Sequence, residues 1–167
     1  MQTLEFWNLI IASVGLIAAV YAIIYTHLAN RVELAVNGAI FDRRENDPYI
    51  VHFTINNLSS KPVTIDSIKF ISITDNNELK PLRGVEPTRT FIGTGPYKIP
   101  DIIHPSWYEN PVSENTILQP NSNKEFSYYF NPFMETMKIE ISIKKNSTFS
   151  RNKIAMQSFI TSFERDN

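Results

Sequence analysis

The charge-free stretch between Glu5 and Arg31 limits the fold of this chain more than any other feature. Its apolar part runs from Trp7 to Leu28, which as an α-helix would be roughly 33 Å long at about 1.5 Å per residue. The hydrocarbon core of a bilayer is about 30 Å thick, so the stretch predicts one transmembrane helix embedded in a lipid bilayer. Trp7 suits the headgroup zone, because its ring is apolar and carries one polar atom.

Two other interpretations of this stretch are weaker. A cleaved signal peptide requires a basic start and a small-residue cleavage site, but the first basic residue is Arg31 and Thr26-His27-Leu28 is a poor site. A buried helix of a soluble domain rarely runs so long without a charge. Lys and Arg favour the cytoplasmic side, so Arg31, Arg43 and Arg44 predict a cell-membrane protein whose C-terminal region is cytoplasmic.

Small residues recur within the predicted helix at a spacing of four. Gly15 pairs in this way with Ala19, and Ala18 pairs with Ala22. Such pairs place small side chains on one helix face, where a second helix can approach closely. They predict a homo-oligomer formed through the helix, although Gly and Ala are also common in membrane helices for other reasons.

The 167 residues divide into a tail and helix (1–30) and a second region (31–167). The second region holds 16 basic and 16 acidic residues, because Glu5 is the one acidic residue before it. A neutral domain lacks the counterion release that drives nucleic-acid binding, so no nucleic-acid partner is expected. The absence of cysteine excludes a disulfide-stapled miniprotein and a thiolate metal site.

From Arg31 onward the apolar residues recur with a period of two, which indicates β-strands. Met137, Ile139, Ile141 and Ile143 alternate most regularly with polar residues. The other candidate strands are 31–36, 49–55, 63–73, 88–92, 116–118, 125–130 and 154–163. Seven or eight short strands separated by turns predict an all-β, antiparallel β-sandwich behind the helix.

Polar turns separate these strands. Residues 56–62, 75–78 and 120–123 are rich in Asn, Ser, Asp and Pro, which make Asx turns or fix φ. Lys145-Asn146-Ser147 could close a hairpin, and Gly93-Thr94-Gly95-Pro96 is a turn signal. In residues 42–47 acidic side chains flank Arg43 and Arg44, which predicts a solvated, self-neutralising turn. Residues 154–163 fit a strand, but apolar residues four apart also fit a helix.

Residues 80–120 hold seven of the ten prolines. Because proline lacks the amide donor of a central strand, this segment predicts long loops with short edge strands. His104, Trp107 and Tyr108 are candidate partner-binding residues, since loops on a rigid scaffold often bind. Alternatively, these side chains and Tyr97 fold back over an open end of the sandwich.

No pattern of catalytic, metal or cofactor residues is present in the sequence. His27, His52 and His104 are far apart, and no helical His spacing or thiolate accompanies them. There is no nucleophile elbow and no glycine-rich phosphate loop. The sequence therefore predicts a protein that is not an enzyme and that carries no cofactor.

A modest basic cluster lies near the C-terminal hairpin. It consists of Lys144, Lys145, Arg151 and Lys153. Lysines on a sheet edge discourage edge-to-edge aggregation, which is the simple interpretation. Contact with anionic headgroups is the functional one, and it requires this edge to face the membrane.

Two stretches carry a resemblance. Residues 51–57 followed by 61–68 form a strand, a polar turn, a Lys-Pro step and a second strand, and residues 117–122 follow an "L-x-P-G" pattern with Asn121 in place of Gly. With one N-terminal span, this layout resembles short bacterial and prophage-encoded membrane proteins that carry an immunoglobulin-like sandwich. The resemblance implies that fold and no catalytic residue.

Three functional hypotheses follow. The first is a single-pass membrane protein that binds a protein partner through its sandwich, at the Pro-rich loops or an exposed strand edge. The second, implied by the resemblance, is a prophage superinfection-exclusion factor that obstructs entry of phage DNA. The third is a small-ligand or enzymatic domain with a site among the loops.

Overall fold

A computed structural model describes residues 2–29, 31–44, 46–89, 91–92, 99–100, 102–113, 116–144 and 154–166. One helix, α1, spans Gln2–Ala29, and the remaining elements are strands joined by turns and one 3-10 turn at Pro105–Trp107. The strands are β1 (Leu34–Asp42), β2 (Tyr49–Asn57), β3 (Val63–Ser72), β4 (Glu78–Leu79), β5 (Phe91–Ile92), β6 (Ile99–Pro100), β7 (Thr116–Leu118), β8 (Asn123–Phe130), β9 (Thr136–Lys144), β10 (Ile154–Ser162) and β11 (Glu164–Arg165).

The helix α1 is long and apolar enough to cross a membrane. Its 22 residues from Glu5 to Thr26 have a mean hydropathy of 2.3, and none of this stretch is buried against the rest of the chain. Its hydroxyl groups bond within the helix: Ser13 Oγ donates to Leu9 O at 2.8 Å, and Thr26 Oγ1 donates to Ala22 O at 2.7 Å. In a bilayer, such internal bonds would satisfy polar groups that otherwise face hydrocarbon.

The small residues of α1 lie on an open helix surface. A Cβ added at Gly15 would meet no atom within 4 Å, and Ala18, Ala19 and Ala22 are exposed. Association of two helices through this face stays a prediction.

Two large sheets form the sandwich among the described residues, and β5 pairs with β6 in a separate two-stranded sheet. The first has the order β11-β1-β2-β8, and the second has the order β10-β9-β3-β4 with β7 also paired to β3. The large pairings are antiparallel, and β1 with β11 is parallel. Strands β1, β2 and β8 face β3, β9 and β10, which is the division found in immunoglobulin-like sandwiches. The predicted β-sandwich behind an apolar helix is thus confirmed.

Aromatic rings fill the space between the sheets, where many immunoglobulin domains have a disulfide. Phe70 of β3 lies 5.0 Å from both Tyr128 and Phe130 of β8, ring centre to ring centre, in edge-to-face geometry. Phe53 of β2 stacks on Tyr128 at 6.0 Å. All four rings are buried, and edge-to-face pairs add to the stabilisation that burial provides.

A β-bulge in β1 decides which side chains reach the outside of the first sheet. The register shifts between Asn37 and Ile40, where Gly38 has a φ of +59°. Because side chains alternate along a strand, one extra residue exchanges the two faces. Leu34 contributes to the core before the bulge and Phe41 after it, so Ile40 faces outward.

The last strands connect the two sheets. Strand β10 pairs with β9 as far as Ser162, and β11 then pairs with β1 on the other sheet. The Gln157 side chain also bridges the sheets: Nε2 donates to Val32 O at 2.8 Å, and Oε1 accepts from Leu34 N at 3.2 Å. Residues 154–162 are therefore a strand, and their helical interpretation is wrong, because pairing with β9 satisfies the backbone.

The polar turns form largely as predicted. Ser59 N donates to Asn57 Oδ1 at 3.0 Å, which closes an Asx turn after β2. Asn76 and Asn121 have φ values of 56° and 52°, which explains Asn at the glycine-like position 121. The predicted turns at 93–96 and 145–147 lie outside the described residues.

Several strand boundaries differ from the prediction. Strand β1 begins at Leu34 and continues past the bulge to Asp42. Of the described residues in the strand predicted over 88–92, Phe91–Ile92 form a strand and residues 88–89 do not. The short strands β4, β6 and β11 were not predicted, because two-residue pairings leave no periodic pattern.

Buried Asn57 joins the two sheets at one end of the sandwich. Its Nδ2 donates to Lys61 O, Leu118 O and Gln119 O at 2.8–3.1 Å. Asn57→Ala removes the buried side chain that donates to these carbonyls, so we expect the free energy of unfolding to fall by about 3 kcal/mol. Asn56→Ala is the matched control, and a change below about 0.5 kcal/mol is expected there. Urea denaturation of the full chain in detergent measures both, and equal losses would contradict the assigned role.

Candidate functional site

The outer face of the first sheet is covered by the Pro-rich segment. Leu82 N donates to Tyr129 O at 2.8 Å, and Asn110 exchanges two backbone hydrogen bonds of 3.1 Å with Ser127. Both contacts lie along the free edge of β8. Ile50 and Tyr129, which point away from the core, are consequently buried. The described residues of the segment lie over a face and an edge of the sandwich. Tyr97, which the alternative interpretation also places over an open end, lies outside the described residues.

Side chains of β8 hold the segment in place. Ser127 Oγ donates to Tyr108 O at 3.0 Å and accepts from Asn110 N at 2.7 Å. The Tyr129 hydroxyl donates to Trp107 O, and burial, the largest cause, raises the pKa of Tyr129 to about 12. Trp107, Tyr108 and Asn110 are thus fixed to the sheet through their backbone, and the Asn110 side chain also donates to Glu125 O at 2.9 Å.

A second attachment uses Asp47. Its carboxylate accepts from Thr88 N at 2.8 Å and from the Thr88 hydroxyl. Arg43 Nε donates to Asp47 O at 2.9 Å. Asp47 is buried, so the prediction that residues 42–47 form a solvated turn is wrong at this position. The reason is that the carboxylate binds a distant loop, which the local charge pattern does not reveal.

The candidate residues His104, Trp107 and Tyr108 belong to one turn. His104 precedes the 3-10 turn and caps it: Nδ1 accepts from Ser106 N at 3.2 Å and lies 2.8 Å from Ser106 Oγ. His104 is exposed, Trp107 is half-buried, and Tyr108 is 47 % exposed. The contact between His104 and Ser106 is therefore part of the turn's own hydrogen bonding.

Two adjoining clefts, of 240 and 290 Å³, lie between this turn and the outer face of the first sheet. They share His52, His104, Ser106 and Glu125. The first cleft is completed by Ile40, Asp42, Trp107 and Asp166, and the second by Pro105, Tyr108, Asn110 and Ser127. We call the two together the histidine cleft.

His52 forms the floor of the histidine cleft. It is largely buried on β2, opposite Ser127 of β8. Burial lowers the pKa of His52 below 6.5, and the carboxylates of Glu125, Asp166 and Asp42 oppose this shift. Its Nδ1 lies 3.6 Å from Glu125 Oε1. At neutral pH the cleft therefore has a neutral imidazole at its base and carboxylates at its rim.

The chemistry of the cleft suits binding of a cationic or hydrogen-bonding group. Within the described ranges, no cluster of three or more His, Cys, Asp or Glu side chains is placed to hold a metal ion. The acidic side chains at its edge, Asp42, Glu125 and Asp166, attract positive charge. Trp107 adds an aromatic surface on which a cation can also rest.

The turn residues predicted from sequence thus lie together. Trp107 lines the first half of the histidine cleft, and Tyr108 lines the second half. The sequence did not single out His52, Asp42, Glu125 or Asp166 as site residues. They come from β1, β2, β8 and the end of the chain, so no local spacing connects them. The sequence carries one signal for the orientation of Asp42. The core-facing apolar residues of β1 have even numbers up to Val36 and odd numbers after it, and this change marks the bulge.

No protein-family model matches the chain, and a comparison with curated proteins finds no match.

The low pKa of His52 makes stability depend on pH. The unfolded chain takes up a proton at His52 near pH 6.5, while the folded chain takes it up only at lower pH. Stability is therefore present above pH 6.5 and is lost as the pH falls toward the folded pKa. We expect His52→Gln to lose less stability than the wild type between about pH 7.5 and about pH 5.5. Denaturation at both pH values measures this, with His104→Gln, which keeps His52, as control; identical pH dependence in all three proteins would refute it.

Proposed function

We propose that this chain is a membrane-anchored interaction protein that acts by binding and not by catalysis. Helix α1 is the anchor, and the histidine cleft is the surface that binds a protein partner. The observation that carries this proposal is the presentation of Trp107 and Tyr108, whose backbone carbonyls are bonded to Tyr129 and Ser127 of the sheet. Aromatic side chains held in advance lose little entropy on binding and are frequent at interfaces.

The size and charge of the cleft support a protein side chain as its occupant. Each half has a volume below about 300 Å³, the lower end of the range for small-molecule sites. Asp42, Glu125 and Asp166 at the rim favour a Lys or Arg of the partner, which can also stack on Trp107. Neutral His52 at the floor can exchange a hydrogen bond with the same group.

The resemblance noted above supports a bacterial or prophage setting for this protein. Superinfection exclusion would use the same two parts, an anchor and an interaction surface. It is therefore a special case of the proposed function, and it assigns no additional residue.

The anchor gives a topological prediction. If α1 is retained and spans the bilayer, the chain stays with membranes after alkaline carbonate extraction and keeps the full-length mass of 19.2 kDa. Because Arg31, Arg43 and Arg44 follow the helix, we expect protease to cleave the sandwich only from the cytoplasmic side. Release by carbonate or a mass shortened by removal of α1 would contradict the anchor. Cleavage from the outside alone would reverse the orientation and leave the anchor intact.

Cross-linking tests the histidine cleft. The chain has no cysteine, so Ser106→Cys carries a single photo-cross-linker at the cleft. We expect this full-length protein, in membranes, to form a defined adduct that falls at least about tenfold when Trp107→Ala and Tyr108→Ala are added, as for loss of about 1.4 kcal/mol. Phe91→Ala, an exposed aromatic outside the cleft, should leave the adduct unchanged.

A cross-linker at Ile160→Cys on exposed β10 provides the spatial control. An adduct that forms equally from both positions, or that survives removal of both aromatic side chains, would refute the cleft as the binding surface.

A further inference from the structure

The strand register places one end of the sandwich next to the helix. Leu34 begins β1 and lies opposite Asn57, where β2 ends. Other strands also begin or end in this region, as their pairings with β2, β3 and β9 show. The residues concerned are 117–118, 123–124, 144 and 154. We call this end, formed by residues 31–34, 57–64, 117–124, 144 and 154, the anchor end.

The connection between helix and anchor end is short, and Glu33 within it is bonded to the sandwich. Helix α1 ends at Ala29 and β1 begins at Leu34, so the two elements are at most about 18 Å apart along the chain. Glu33 is bonded to the β2–β3 turn: its N–H donates to Ser59 Oγ at 2.8 Å, and its carbonyl accepts from Leu58 N at 2.9 Å. If α1 spans a bilayer, the anchor end must lie close to the bilayer surface.

The charges of the anchor end suit an anionic surface. Among the described residues it carries Arg31, Lys61, Lys124 and Lys144, and its acidic groups are Glu33 and the neighbouring Asp66, 3.4 Å from Lys144. Glu125 follows Lys124 but points toward His52, on the outer face of the sheet. The opposite end mixes both signs more evenly, with Asp42 and Arg43 after β1 and Arg165 and Asp166 at β11. Lys145, Arg151 and Lys153 of the predicted basic cluster lie outside the described residues.

Apolar side chains accompany these basic groups. Leu58 is 53 % exposed and Ile117 is 54 % exposed, although both are large and both belong to the anchor end. Basic residues beside exposed apolar ones are the combination that binds the interface of an anionic bilayer, where apolar groups enter the acyl boundary and cations stay among phosphates.

We infer that the anchor end docks on anionic lipid headgroups, with Lys61 and Lys124 among the phosphates and Leu58 and Ile117 in contact with the acyl boundary. This inference rests on the membrane anchor of the proposed function and is independent of the histidine cleft. Docking fixes the sandwich against the bilayer and prevents it from pivoting freely relative to the helix.

Single-cysteine probes test the docking in the full chain. Leu58→Cys and Ile117→Cys, each labelled with an environment-sensitive fluorophore, are reconstituted into vesicles of phosphatidylcholine alone or mixed with phosphatidylglycerol. Ile73→Cys, at the opposite end and 48 % exposed, is the matched control. We expect an apolar environment at positions 58 and 117 in the anionic vesicles only, and an aqueous one at position 73 in both.

The lysines supply the electrostatic test. Lys61→Gln with Lys124→Gln should lower the ratio of docked to undocked sandwich by about fivefold per lysine in anionic vesicles. Lys69→Gln with Lys80→Gln, away from the anchor end, should leave it unchanged. Thermal melting checks that the variants fold, and a salt titration of the labelled protein with its lysines intact should release the sandwich without any substitution of charge.

The outcomes separate the two proposals. If the chain floats with both kinds of vesicle but positions 58, 117 and 73 report the same environment, or lipid charge and salt have no effect, the docking is refuted and the anchor stands. If the chain floats with neither kind, the anchor is refuted and the docking falls with it.

Discussion

The contacts of Phe70 with Tyr128 and Phe130 are the interaction on which the rest of this structure depends. Phe70 belongs to one sheet and the two other rings to the second, so these edge-to-face contacts hold the sheets together without a covalent bridge. They also fix the rotation of β8, because neighbouring side chains of a strand must point to opposite faces. With Tyr128 turned inward, Tyr129 can only turn outward.

Because Tyr128 and Tyr129 point to opposite faces, the packing of the core also positions the loop that lines the histidine cleft. The Tyr128 hydroxyl accepts from Val112 N at 2.9 Å, and the Tyr129 hydroxyl donates to Trp107 O. Two successive tyrosines, one on each face of β8, thus hold both ends of the short segment that carries Tyr108. A proline-rich segment with few backbone donors is ordered in this way by hydroxyl groups of the sheet that it covers.

The sequence predicts the parts of this structure that depend on local patterns. The helix is predicted because a long uncharged run suits an apolar environment. The strand Met137–Ile143 is predicted because its alternation gives one apolar face. The cleft could be predicted only in part: prolines place His104, Trp107 and Tyr108 in a loop, but the face on which that loop lies depends on distant contacts. In the sequence, His52 looks like an ordinary outward-facing residue of β2. Its burial is caused by residues about fifty positions further along the chain. The bulge at Gly38 turns Ile40 toward the histidine cleft. It is hard to recognise in the sequence, because the alternation of apolar residues looks regular on each side of it.

The position of β1 has a mechanical consequence. It is the first strand after the helix, and it is bonded to β2 along its length, to β11 near its end and to the Gln157 side chain at its start. If α1 is anchored in a membrane and a partner binds the histidine cleft as proposed, tension between the two would enter the sandwich through this strand. The backbone bonds to β2 lie across the direction of pull, so they would be loaded in shear and would have to break together and not one after another. A tether built in this order resists force at the point where force enters.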